Sequence, residues 1–167
     1  MVGKKPRERV IAGEDETTGT HRYRLYKAAF TRVKEASREG YHLEAITLLE
    51  SLLSDRMESR VAHLTQTKAG FKTLGELISQ SKGHEDNAAF RELLVDIDAW
   101  RKLRNRSLHE LVKFEEGDLR TWHEKVAELE PIVVQGIAVL RAYDEVDRAE
   151  RKKAGARPAA TEPGAFT

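Results

Sequence analysis

Apolar side chains recur every three or four residues along most of this chain, and that spacing commits it to helices. The longest run is Leu119, Trp122, Val126, Leu129, Val133, Ile137, Leu140 and Tyr143. Pro131 lies inside the run, where proline either kinks a helix or breaks it in two, and the unbroken periodicity favours a kink. No segment alternates apolar and polar residues in the manner of a strand. The spacing therefore predicts an all-α bundle of four to five helices with a long, Pro-kinked C-terminal helix.

The other helices are read the same way. Tyr23, Tyr26, Ala29, Phe30 and Val33 mark a first helix over about 21–38, ended by Gly40 as a left-handed cap. A second helix spans about 41–65. Its apolar face, from Leu43 to Val61, is broad enough for contacts on two sides, for example with its own domain and with a partner. A short helix covers about 73–80. After Asp86 or Asn87 as a cap, a fourth runs from 88 to about 111 on Phe90, Leu93, Leu94, Ile97 and Trp100. Residues 1–20 and 153–167 read as flexible tails around one domain at 21–152, because they hold little apolar surface to bury.

Composition narrows the chemistry. The chain has no cysteine, which removes disulfides and thiolate metal sites, and its histidines show no metal-ligand spacing. There is no Gly-rich phosphate loop and no nucleophile elbow. No apolar run approaches the roughly 20 residues that span a bilayer, and the first residues lack an apolar signal core. A cytoplasmic protein with no membrane partner, no metal and no cofactor is expected. The 29 basic and 28 acidic residues nearly cancel, so no global field draws nucleic acid to the protein. Any RNA contact has to come from a local cluster.

One such cluster exists. Arg101, Lys102, Arg104 and Arg106 crowd six positions without an acid, at the end of the fourth helix. Within and just beyond it lie Arg104, Asn105 and His109. An arginine grips phosphate, and histidine exchanges a proton near neutral pH. Asn105, His109 and Arg101 share one helix face, being four residues apart. Arg104 stands about 140° around the helix from His109. A distorted turn or a second subunit would close that gap. The plainer alternative for His109 is a helix-end histidine against the C-terminal dipole, with Arg104 and Arg106 as a solvated basic turn. Trp100 and Trp122 read as core or interface anchors rather than base-stacking platforms.

Arg104, Asn105 and His109, set after an apolar helix and before a turn and a long last helix, resemble the signature of the HEPN family (higher eukaryotes and prokaryotes nucleotide-binding). The Leu43–Leu53 stretch is similar to the family's second helix, and the resemblance covers about 21–150. It implies a homodimeric, metal-independent endoribonuclease acting in defence, as a growth-arresting toxin, or in RNA processing. In that chemistry a 2′-hydroxyl attacks the adjacent phosphodiester and leaves a 2′,3′-cyclic phosphate. The implied catalytic residues are Arg104, Asn105 and His109, with Arg101, Lys102 and Arg106 on the RNA backbone. An antitoxin or regulatory protein is a further implied partner. The chain departs from some members at Leu111, where they carry a modifiable tyrosine two residues after the histidine. A non-catalytic helical dimer, or a nucleotide- or protein-binding module, is the alternative.

Overall fold

The computed structural model describes the backbone of residues 16–67, 72–113 and 115–155, and the side chains of all these except 16–19, 154 and 155. The described residues form helices and connections, with no strand among them. Helix α1 spans Glu16–Arg38, α2 His42–Thr65, α3 Leu74–His84, α4 Ala88–Glu110, α5 Trp122–Ala127 and α6 Glu130–Gly155. Counting α5 and α6 as one bent element gives the five helices of the sequence reading. Residues 16–20, expected in a tail, belong to α1, and α6 continues to 155. The remainder of both expected tails, 1–15 and 156–167, lies outside the described residues.

Local chemistry sets most of the helix ends. Gly40, at φ 79°, closes α1. The Tyr41 N–H reaches back to the Ala36 carbonyl at 2.8 Å and the Gly40 N–H to Ser37 at 3.4 Å, the pairing of a Schellman cap. Thr73 and Thr121 start α3 and α5 with capping boxes completed by Glu76 and Glu124. Asn87 caps α4 by accepting from the Ala89 and Phe90 N–H groups.

Pro131 explains where the long C-terminal element bends. The turn falls at Glu128 and Leu129, between α5 and α6, which places the proline in the first turn of α6. There its missing N–H removes no helical hydrogen bond. The Ile132 and Val133 N–H groups both turn to the Leu129 carbonyl, at 3.0 and 3.2 Å. Apolar spacing survives the bend because Leu129, Ile132 and Val133 all remain in the core.

Helix α2 is the centre of the bundle, with α1, α3 and α6 packed around it, and α4 closes against α6 and α3. The broad apolar face of α2 is thus filled within the chain: Ile46, Leu49, Leu53 and Met57 are fully buried. Trp100 of α4 is the largest buried side chain, and its indole N–H donates to the Ile132 carbonyl of α6 at 2.9 Å. Trp122 is exposed instead.

Close approach of α6 depends on one residue. A Cβ at Gly136 would stand 2.7 Å from Trp100 Nε1 and 2.9 Å from Leu49 Cδ1. Alanine normally stabilises a helix by about 1 kcal/mol over glycine. Here, overpacking costs about 1–3 kcal/mol and outweighs that gain. Gly136→Ala is expected to lower the thermal midpoint by a few degrees, about 2–4 °C per kcal/mol lost. Gly83→Ala, whose Cβ would meet nothing within 4 Å, should not lower it. Equal midpoints in a thermal melt would disprove the tight α4–α6 contact.

Candidate functional site

Helix α4 changes character after Trp100. Its first three turns bury Phe90, Leu93, Leu94, Ile97 and Trp100, whereas no residue from Arg101 to Glu110 is buried. The Arg-Asn…His segment therefore lies where the helix leaves the core. A polar, accessible strip at a helix C-terminus also suits cations, since the terminal carbonyls carry partial negative charge.

Arg104 does not project freely. It is only 13% exposed and turns toward α2, where its Nη2 pairs with the Glu50 carboxylate. Its guanidinium lies 6.0 Å from the centre of the Trp100 ring. The Nε–H is buried and has no hydrogen-bond partner among the described residues. His109 is exposed and Asn105 half-buried, and no side-chain hydrogen bond joins either one to Arg104. The structure thus places the three motif residues on adjoining turns without bringing them into contact within one chain.

The three other cations of the cluster also have acidic partners. Arg101 donates to Asp98 through Nε and Nη2 at 3.0 and 2.8 Å, and its guanidinium lies beside Gly75 at the start of α3. Lys102 reaches the other Asp98 oxygen at 2.9 Å. These bonds from Lys102 and Arg101 hold the Asp98 carboxyl below its usual range. Arg106 pairs with Glu110 at 3.1 Å, on the exposed surface. The expectation of an acid-free cluster was confined to positions 101–106. In three dimensions Asp98, Glu110 and Glu50 balance most of its charge. Asp98 and Glu110 stand at the three- and four-residue spacings that make helical ion pairs, so they were legible in the sequence. Glu50, 54 positions from Arg104, was not.

Beyond His109 the chain forms a small charged hollow of about 180 Å³ between the end of α4 and α5, bordered by Ser107, Glu110, Leu111, Lys125, Glu128 and Leu129. Asp118 organises it, accepting from Arg120 at 2.7 Å and pairing with Lys125 at 2.9 Å. Hydrogen bonds from these two side chains and from the Arg120 N–H push the Asp118 carboxyl far below its ordinary range. Lys125 also donates to the Lys113 carbonyl at 3.1 Å. This clasp ties Lys113 and Asp118 to α5 through Lys125.

Among the described residues no group of three or more His, Asp or Glu is placed to hold a metal ion, and no helix is long and apolar enough to cross a membrane. Comparison with protein-family models, with curated proteins and with solved structures finds no match to this chain.

Proposed function

We propose that this protein is a metal-independent endoribonuclease of HEPN type, acting in the cytoplasm on RNA as a homodimer. The observation that carries the reading is the contrast between the two motif residues on the last turns of α4. His109 is solvent-exposed, while Arg104 is held in place with one of its five N–H donors engaged. An accessible proton carrier, and an arginine with donors not yet engaged that a second subunit can set against it, are what phosphodiester transesterification needs.

In that reaction the 2′-oxygen forms a bond to phosphorus as the bond from phosphorus to the 5′-oxygen breaks. One group takes the 2′-hydroxyl proton, and another gives a proton to the departing 5′-oxygen. His109 from one subunit and His109 from the other fill these two roles. Arg104 steadies the charge on the non-bridging oxygens. Asn105 orients the histidine or the phosphate, and Arg101, Lys102 and Arg106 line the path of the backbone. Dimerisation supplies the second histidine and removes the need for Arg104 and His109 to meet on one helix. Such an enzyme requires control, which an antitoxin or regulatory protein would provide in a defence, toxin or RNA-processing setting.

The test is incubation of the purified protein with total RNA in excess EDTA, followed by analysis of product ends. Cleavage should persist and leave 2′,3′-cyclic phosphate and 5′-hydroxyl termini. A folded wild-type protein that leaves a broad RNA panel intact would sink the proposal.

A non-catalytic, protein-binding bundle is favoured by one specific observation: every cation of the cluster already has an acid beside it. On that reading the exposed Val112, Leu119 and Trp122 would face the partner, and RNA would remain uncut.

A further inference from the structure

Resting on the reading that Arg104 contacts a phosphodiester, we propose that Glu50 is an affinity-setting residue of the site, an internal carboxylate that occupies Arg104 until RNA displaces it. Three features of the pair carry this. Arg104 is paired with Glu50 across α4 and α2. The arginine is the more buried partner, at 13% against 35%, so the carboxylate forms the more solvent-facing end of the pair. Finally, the pairing is one-pronged, a single Nη2 contact, while a carboxylate or a phosphate can engage a guanidinium through two parallel bonds.

These features have an electrostatic consequence. A phosphate approaching Arg104 from solvent meets the Glu50 charge first. It can settle beside that carboxylate only against like-charge repulsion, or it can take the carboxylate's place. Either route weakens phosphate binding. The alternative in which Glu50 merely holds Arg104 in position makes the opposite forecast, because removing the carboxylate would then loosen the arginine. Asp98 does not act in the same way, since its partners Arg101 and Lys102 stand next to it on α4 and remain about a quarter and two-thirds exposed.

Glu50→Gln keeps the shape of the side chain and removes its charge. Two measurements in EDTA are compared with the wild type: binding of a fluorescent single-stranded 2′-deoxy oligonucleotide, which lacks the attacking hydroxyl, and cleavage of the matching RNA. Binding should tighten about tenfold, equivalent to about 1.4 kcal/mol. The gain should shrink as salt rises. Cleavage should show a lower KM with kcat within about twofold. Adding Arg104→Ala to Glu50→Gln should erase the gain.

Unchanged or weaker oligonucleotide binding overturns the proposal, and so does a fall in kcat at constant KM, which would make Glu50 part of the chemistry or a positioning residue. A thermal melt checks that Glu50→Gln folds. If it does not, Glu50→Asp carries the test: it draws the carboxylate back by one methylene and should give a smaller gain of the same sign. Tighter binding by Glu50→Gln with no RNA cleaved by any variant would reject the ribonuclease reading and keep this inference. Cleaving wild type with unaltered binding by Glu50→Gln would do the reverse.

Discussion

His109→Ala is expected to reduce RNA cleavage by about two to four orders of magnitude, the usual contribution of a positioned general acid or base. The same substitution should leave the fold intact. His109 is exposed on the last turn of α4 and makes no hydrogen bond through its side chain to another described residue. Exposed substitutions of this kind shift stability by about 0.5 kcal/mol or less, so the melting midpoint should move by no more than about 2 °C. The measurement is a single-turnover cleavage rate on a defined RNA, paired with a melt of the same sample. A cleavage rate equal to the wild type's, with folded protein, removes His109 from the chemistry. In a dimer that draws one histidine from each subunit, mixing His109→Ala with wild type should depress activity more than the simple fraction of variant chains predicts.

The opposite signature is expected at Glu85, just before the other end of α4. Glu85, 2% exposed, sits at the turn between α3 and α4 and accepts two hydrogen bonds from Arg60 of α2, at 2.8 and 2.7 Å. Arg60 also pairs with Glu150 of α6 at 2.5 Å and lies over the Phe90 ring at 4.1 Å. The Asn87 N–H donates to Glu85 as well, at 3.0 Å. One buried carboxylate thereby fastens α2 to the start of α4, and Arg60 carries the tie on to α6.

Glu85→Gln keeps the volume but leaves Arg60 facing an amide in a buried place. Breaking such a pair costs about 3–5 kcal/mol, and the Glu150 contact holds the loss near the lower figure. The melting midpoint should fall by roughly 6–12 °C. Adding Arg60→Met, which removes the stranded charge, should restore part of the loss. The absence of any drop would mean that the network contributes nothing to stability.

The pH dependence has a definite sign. Burial opposes the charged form of Glu85, but the bonds from Arg60 and the Asn87 N–H prevail, and the carboxyl titrates below its ordinary value. A depressed folded value means the stabilisation is complete above the unfolded glutamate's pKa of about 4.3 and is lost as pH falls through the lower, folded value. The gap in stability between wild type and Glu85→Gln should therefore narrow in acid.

The candidate site was legible in sequence only along its own helix. The exit of α4 from the core after Trp100, the Asp98 partners and the Arg106–Glu110 pair all follow from residue types at helical spacing. The direction of Arg104 does not. Its 140° offset from His109 is visible in the sequence, whereas the side on which a carboxylate waits depends on how α4 lies against α2. Nothing local to Arg104 points to Glu50.

The same division runs through the fold. Sequence by itself determined that the chain is helical, where the Gly40 cap falls, and which faces are apolar, because these depend on contacts within a few residues. It did not determine that the broad face of α2 would be filled by α1, α3 and α6 instead of a partner. It favoured a kink at Pro131 but did not place the bend at Glu128 and Leu129. Tertiary structure decided these points, along with the Gly136 approach and the Arg60–Glu85–Glu150 tie. Each depends on the positions of atoms from distant segments, and side-chain volume and charge, unlike helical periodicity, act on whatever the fold places beside them.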